Sequence, residues 1–233
     1  MNAAPALSII LPALNEAAGI VAALEALAPL RAEGVEVIVI DGGSTDRSVG
    51  LAAPLADRVL TAPRGRASQM NAGAAVARGG VLLFLHADTR LPQGAARFIA
   101  QAVGGGRHWG RFDVRIEGSS AWLPLVAAMM NRRSRLTGIA TGDQAMFISR
   151  AAFAAAGGFA DIPLMEDIDL SRRLLRIGRP ACLAARVTTS GRRWEAQGVW
   201  RTILRMWWLR LRFFFGADPR RLAVDYGYTP RES

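Results

Sequence analysis

The chain has no lysine, one cysteine and two histidines among its 233 residues, and each scarcity narrows the chemistry. Cys182 stands alone, which excludes an internal disulfide framework and any multi-cysteine metal site; it reads as a small buried residue of a strand. Long apolar runs are missing too. The longest uncharged one, AWLPLVAAMM at 121–130, is well short of the roughly 20 residues a membrane-spanning helix needs. The first residues, MNAAPALSIILPALNE, do not join a basic stretch to a long apolar one, so a secretory leader is not expected and a cytoplasmic location is. Zinc-finger spacing, an RNP-like stretch and an isolated basic recognition helix are all absent, so a nucleic-acid partner is not expected.

Without lysine, the positive side of the formal charge of +10 rests on arginine. Guanidinium groups suit phosphates and carboxylates, which makes an anionic partner plausible. A GC-rich coding sequence would give the same bias with no functional meaning. Half the residues are hydrophobic, the balance of a folded protein.

Short apolar runs alternate with helical stretches through the first ninety residues. ALSIILP (6–12), VEVIVID (35–41), ADRVLTA (56–62) and VLLFLHAD (81–88) read as strands. Residues 15–30 read as a helix capped by Asn15, and 68–79 as another ending in glycine. Strands that are continuously apolar indicate a mainly parallel sheet covered on both faces, the α/β sandwich of a nucleotide-binding domain. Ligands of such sheets sit beyond the carboxyl ends of the strands, where Asn15 with Glu16, Asp41 and Asp88 fall. Beyond residue 100 we expect an alternating strand within 104–118, a helix over 119–136, strand then helix in GDQAMFISRAAF, a helix in MEDIDLSRRLLRIG and a strand in CLAARVTTS. No linker or fixed-period repeat divides the chain. We read one domain over 1–195, a donor half at about 1–100 and an acceptor half at about 101–195, followed by a tail at 196–233.

Taken in order, SIILPALNE, VIVIDGGSTD, RGRASQMNAGAAVARGGVLLFLHADT, GDQAMFISR and MEDIDLSRRL resemble the family 2 glycosyltransferases. Within that family, DGGSTD, GRASQMNAGA and FLHADT are similar to a branch of small bacterial members, the radical-SAM/selenodomain-associated transferases. The resemblance covers about residues 6–190. It implies the GT-A fold and inverting transfer of a sugar from a nucleotide-sugar donor, and it implies a divalent cation, Mg²⁺ or Mn²⁺. The chemistry asks for such parts: the departing diphosphate must be held and its charge neutralised, which oxygen-ligated metal does.

By the resemblance, Asp88 is the metal ligand, Asp41 grips the nucleotide base, and Asn15 and Glu16 flank base or ribose. Arg66 would fork onto the diphosphate, with Gln69 and Asn71 reaching ribose or sugar. Asp143 and Gln144 would line the sugar or acceptor pocket. Asp167 would take the acceptor's proton while Glu166 orients the acceptor; Asp169 points elsewhere. Trp194 would close the site, and the missing Gln-any-any-Arg-Trp motif of the processive members implies a single transfer. The family usually carries Asp-any-Asp where this chain has His86-Ala-Asp88. Two readings of His86 stand: a contact to the donor or metal, or a buried histidine satisfied by a neighbouring loop.

The tail carries an aromatic-rich helix within 197–215. At 100° per residue, Arg201, Arg205 and Arg212 fall within about 40° of one another, leaving Val199, Ile203, Leu204, Met206, Trp207, Phe213 and Phe214 over much of the remaining face, which Arg210 interrupts. Such a helix can lie peripherally on the inner face of the cell membrane or pack as a core or dimer element. A lipid-like acceptor and a soluble small molecule are both compatible with it. Two other functions are compatible with this kind of sheet: a nucleotide-sugar-binding or membrane-attached protein with little turnover, and a sugar-phosphate nucleotidylyltransferase. The latter needs a glycine-rich basic loop after the first strand, which PALNEAAGI does not supply.

Overall fold

The computed structural model describes residues 6–228; the outermost residues of the two expected segments lie outside them. The first half runs β1 (Leu7–Ala13), α1 (Ile20–Glu25), α2 (Ala28–Ala32), β2 (Glu36–Asp41), α3 (Ser48–Ala52), β3 (Arg58–Thr61), α4 (Arg66–Val76) and β4 (Val81–Phe84). The second continues with β5 (Thr89–Arg90), α5 (Ala95–Gly104), β6 (Trp109–Glu117), α6 (Leu123–Thr137), a 3₁₀ turn (Gly142–Gln144), β7 (Met146–Ser149), α7 (Arg150–Ala155), α8 (Glu166–Leu174) and β8 (Ala181–Ser190). Three helices follow, α9 (Arg192–Gln197), α10 (Val199–Phe214) and α11 (Pro219–Asp225).

The strands form one sheet in the order β3-β2-β1-β4-β7-β6-β8-β5. β3, β2, β1 and β4 are parallel; β7 runs antiparallel between β4 and β6, and β8 is parallel to β6. This is the mainly parallel α/β sandwich expected from the apolar runs. The two-residue period of a strand explains why those runs are apolar throughout. Ile9, Leu11, Val37 and Val39 bury into one layer with α1, whereas Ile10, Ile38 and Ile40 bury into the opposite layer with α4. Gly73 lets α4 lie flat on the sheet, since a side chain there would collide with Ile10.

Several expected boundaries shift for identifiable reasons. β4 ends at Phe84, where its ladder with β1 and β7 runs out, so His86 and Asp88 lie in a turn closed by the Thr89 N–H donating to His86 O at 3.0 Å. Asn15 does not cap a helix. It has φ 54°, its N–H donates to Ser44 Oγ at 2.8 Å, and its Oδ1 accepts from Thr45 N at 2.9 Å. The first helix therefore begins only at Ile20, and the expected single helix is two short ones. β6 does not simply alternate: Trp109 to Val114 are all buried, because α6 covers one face and the sheet's second layer the other. Arg111 is sealed there by pairing with Asp113, by Ser134 Oγ at 3.0 Å and by Asn131 O at 3.2 Å.

Helix α10 also departs from the expected single apolar face. Val199, Ile203 and Leu209 are buried, whereas Leu204, Trp208, Leu211 and Phe214 are exposed. Arg205 and Arg212 do not border that face freely: Arg205 donates to Asp225 O, and Arg212 pairs with the Asp225 side chain. They clamp α11, which packs Leu222 and Ala223 onto Leu209 and Met165.

Candidate active site

The carboxyl ends of β1, β2 and β4 open on one edge of the sheet, where an open cleft of about 510 Å³ lies. Glu16, Arg66, Gln69, His86, Asp88 and Asp143 line it, which brings together six of the residues singled out from sequence. Trp194 lines it as well. Local hydrogen bonds explain how Glu16 is aimed. Its N–H donates to Ser48 Oγ at 2.7 Å, and Asp46 accepts from Ala17 N at 3.0 Å, so the turn after β1 is pinned to the loop after β2. The Glu16 carboxyl is pushed above its ordinary value by burial and then by the negative charge of Asp88. Two carboxyl groups, from the ends of β1 and β4, thus repel one another at the cleft.

That pair fits a divalent cation. Both offer hard oxygen donors, and among the described residues no group of three or more His, Cys, Asp or Glu side chains forms a cage of its own. One or two carboxylates with the remaining positions left to phosphate and water is the manner in which Mg²⁺ is usually held. Asp88, with Glu16 beside it, is the candidate ligand.

Adjoining the cleft, Glu166 and Asp167 open α8 and line a small recess behind His86 and Gly142. Asp167 Oδ2 accepts from Gly142 N at 2.9 Å and Oδ1 from Ile168 N at 2.7 Å. Glu166 is buried, 3.9 Å from Arg66 Nη1. Burial, then the neighbouring Asp167 charge, pushes its carboxyl up to about 7. Asp169 turns away and pairs with Arg173 at 2.6 Å. His86 Nδ1 lies 3.4 Å from Asp143 Oδ1.

Asp41, Asn71 and Gln144 do not line the cleft, and Gln69 does so with its amide already engaged. Asp41 is buried and accepts from Gly43 N and Ser44 N, both at 2.9 Å, within its own turn. The Gln69 amide reaches the cleft edge but spends its N–H groups on Ile40 O at 2.7 Å and Ala13 O at 2.9 Å, tying α4 to the tips of β1 and β2. Asn71 bonds the Phe159 backbone in both directions, at 2.8 and 2.9 Å, away from the cleft. Gln144 is fully buried and holds the turn at 141–144 through Thr141 N.

Sequence reasoning passed over Arg133 on α6, which faces the same cleft, and noted Arg210 on α10 only as a break in an apolar face. For Arg210 that break was the available signal: one cation amid Met206, Trp207, Trp208, Leu209 and Leu211. Arg133 lies in a run, NRRSRL, that gives no way to choose among its arginines.

A nucleotide-binding sandwich with acids at the tips of its parallel strands, and a second wall opened by an acidic helix start, defines the GT-A class of architecture. Residues 8–153 match the model of the glycosyl transferase family 2, and the chain belongs to that family. Over 96 residues it is 41% identical to a PGL/p-HBAD biosynthesis glycosyltransferase of Mycobacterium tuberculosis (strain ATCC 25177 / H37Ra), a match spanning 38% of each chain. It is 30% identical over 202 residues to an uncharacterized protein of M. tuberculosis (strain CDC 1551 / Oshkosh), covering 74% of this chain and 63% of that one. Among solved structures, glucosyl-3-phosphoglycerate synthase from M. tuberculosis in complex with Mn²⁺, UDP and glucosyl-3-phosphoglycerate superimposes with a TM-score of 0.59 at 21% identity, covering 79% of this chain and 71% of that one. S. aureus TarS 1-349 in complex with UDP-GlcNAc gives 0.64 at 16% identity, covering 79% and 58%.

Proposed function

We propose that the protein transfers a single sugar, with inversion, from a nucleoside-diphosphate sugar to an acceptor hydroxyl. The observation that carries this reading is that Glu16 and Asp88 line one cleft beyond the ends of β1 and β4, with Asp167 held in the recess behind His86 and Gly142. Uridine diphosphate sugars are the first donors to test, since the two solved relatives above hold UDP and UDP-GlcNAc.

In this mechanism Asp88, with Glu16 in the same cleft, would hold a divalent cation, which when bound would neutralise charge on the diphosphate. Arg66 lends its positive charge to the same leaving group. The acceptor oxygen attacks the anomeric carbon from the face opposite the diphosphate. A new carbon–oxygen bond forms as the bond to the β-phosphate oxygen breaks, and the electron pair leaves with the nucleoside diphosphate. Asp167 takes the acceptor's proton. Two backbone N–H donors hold its carboxylate in place, leaving the remaining lone pairs to receive that proton. The buried Glu166, carrying a proton up to about pH 7, can donate a hydrogen bond to the acceptor where Asp167 can only accept.

We also propose a cytoplasmic protein in peripheral contact with an anionic membrane surface through residues 197–215. Trp200, Leu204, Trp208, Leu211, Phe214 and Phe215 of that segment are exposed, Arg201 beside them is exposed, and the chain as a whole is strongly basic.

The test is a screen of nucleotide sugars with Mg²⁺ or Mn²⁺, reading both nucleotide release and the anomeric configuration of any product by NMR. Metal-dependent release lost in Asp88→Ala, with product of inverted configuration, supports the reading. Full release by Asp88→Ala, or retained configuration, would overturn it.

A further inference from the structure

Arg133 reaches the cleft from the middle of α6, and Arg210 reaches it from α10. Their guanidinium groups are unusual in this molecule. Nε and Nη2 of Arg133 and Nε of Arg210 are shut off from solvent without a hydrogen-bond partner. Other inward-turned arginines are answered: Arg111 by Asp113, Ser134 and Asn131, Arg150 by the carbonyls of Ala77 and Gly79, and Arg173 by Asp169 and the carbonyl of Gly158. A shielded N–H left without a partner costs about 1–3 kcal/mol. The two cations also repel: burial and then the Arg210 charge bring Arg133 down to about 10, and burial lowers Arg210 as well. A fold keeps such a pair at little benefit to its own stability, and an anion between them would satisfy both.

The side of the cleft decides which anion. Glu16 and Asp88 line the cleft beyond the ends of β1 and β4. The carboxylate that acts most strongly on both Arg133 and Arg210 is that of Asp167, with Asp143 also acting on Arg210. Both therefore feel the charge of the residue that receives the acceptor's proton, and both lie on helices that follow the donor-binding half of the chain.

Resting on the transferase reading above, we infer that Arg133 and Arg210 form an acceptor subsite for a phosphate monoester. A carboxylate has two oxygens and matches one guanidinium fork, whereas a phosphate monoester presents three terminal oxygens and can serve two. Next to the arginines, Met129, Met130, Met206 and Trp207 make an adaptable apolar wall for the rest of the acceptor. The phosphate belongs either to a soluble ester or to a lipid phosphate presented at a membrane.

The test uses the full chain saturated with UDP and Mn²⁺, so that the donor side is filled, and titrates inorganic phosphate by calorimetry. A short alkyl phosphate in solution and a polyprenyl phosphate in phosphatidylcholine vesicles form parallel arms that separate the two sources. Arg133→Met and Arg210→Met are each expected to weaken phosphate-group binding about tenfold or more, equivalent to about 1.4 kcal/mol, with UDP affinity changed less than about twofold. Arg133→Lys and Arg210→Lys, which keep charge but lose the fork, are expected to fall between. The inference is overturned if no arm binds to the UDP-saturated protein, if binding ignores both arginines, or if the Met variants weaken UDP as much as phosphate. The UDP titration itself reports separately on the transferase reading: absence of UDP binding would defeat that reading even where phosphate binding still required both arginines.

Discussion

His86 lies so close against Gly142 that a methyl group on that glycine would collide with its Nε2 and Cε1, while its Nδ1 stands 3.4 Å from Asp143 Oδ1. Gly142 in turn donates its N–H to Asp167 Oδ2 at 2.9 Å. The residue that departs from the family's acidic pattern therefore joins three separate motifs, HADT, TGDQ and MED, through direct neighbours. Gly142→Ala should move His86 or the 141–144 turn, at a cost of about 1–3 kcal/mol in stability. Nucleotide release should drop about tenfold or more while the protein still melts cooperatively, measured by calorimetry beside the release assay. Unchanged release would show that the packing of His86 on the turn has no catalytic consequence.

Glu166 makes a prediction about pH. Its carboxyl is pushed up to about 7 in the folded chain against an ordinary 4.5. Between those values the folded state binds more protons than the unfolded state, so stability falls as pH rises. This contribution is complete below about 4.5 and lost as pH climbs through about 7. Chemical denaturation from pH 4.5 to 7.5 should show that decline in the native chain and a flatter profile in Glu166→Gln, which carries no titrating proton. An equally steep decline in Glu166→Gln would place its source elsewhere.

The exposed face of α10 gives a prediction in lipid. Trp208 and Phe214 are 58% and 69% exposed, so replacing both with serine should leave the fold intact. The partition constant onto anionic vesicles should fall about a hundredfold or more in that double variant, since each large apolar side chain contributes roughly 1.5–3 kcal/mol on full burial. Failure of the native chain to float with anionic vesicles would remove the membrane contact from the account.

Much of this architecture can be read from the chain because a parallel sheet buried on both faces writes itself as unbroken apolar runs. VEVIVID and VLLF became β2 and β4 for that reason. The acids at the strand tips were readable too, since chemistry in such sheets collects there, and Glu16 and Asp88 both line the cleft. What the chain concealed depends on long-range packing. Gln69 and Asn71 sit in a motif that suggests ligand contact, but their amides bind the backbone at Ile40 and Phe159. Helix α10 is apolar on several sides because it answers core, cleft and solvent at once, which no single helical face could reveal. Arg133 became distinguishable from its neighbours in NRRSRL only when the fold turned it into the cleft that Arg210 also lines.

Asp167 carries the central claim, and the most direct measurement is single-turnover transfer by Asp167→Asn alongside UDP–Mn²⁺ affinity. Asparagine keeps a carbonyl oxygen to accept from Gly142 N but cannot take the acceptor's proton, and general-base catalysis typically supplies about 10²–10⁴-fold in rate. The account predicts a rate lowered about a hundredfold or more with UDP affinity changed less than about twofold. A variant that transfers sugar at the native rate would contradict it.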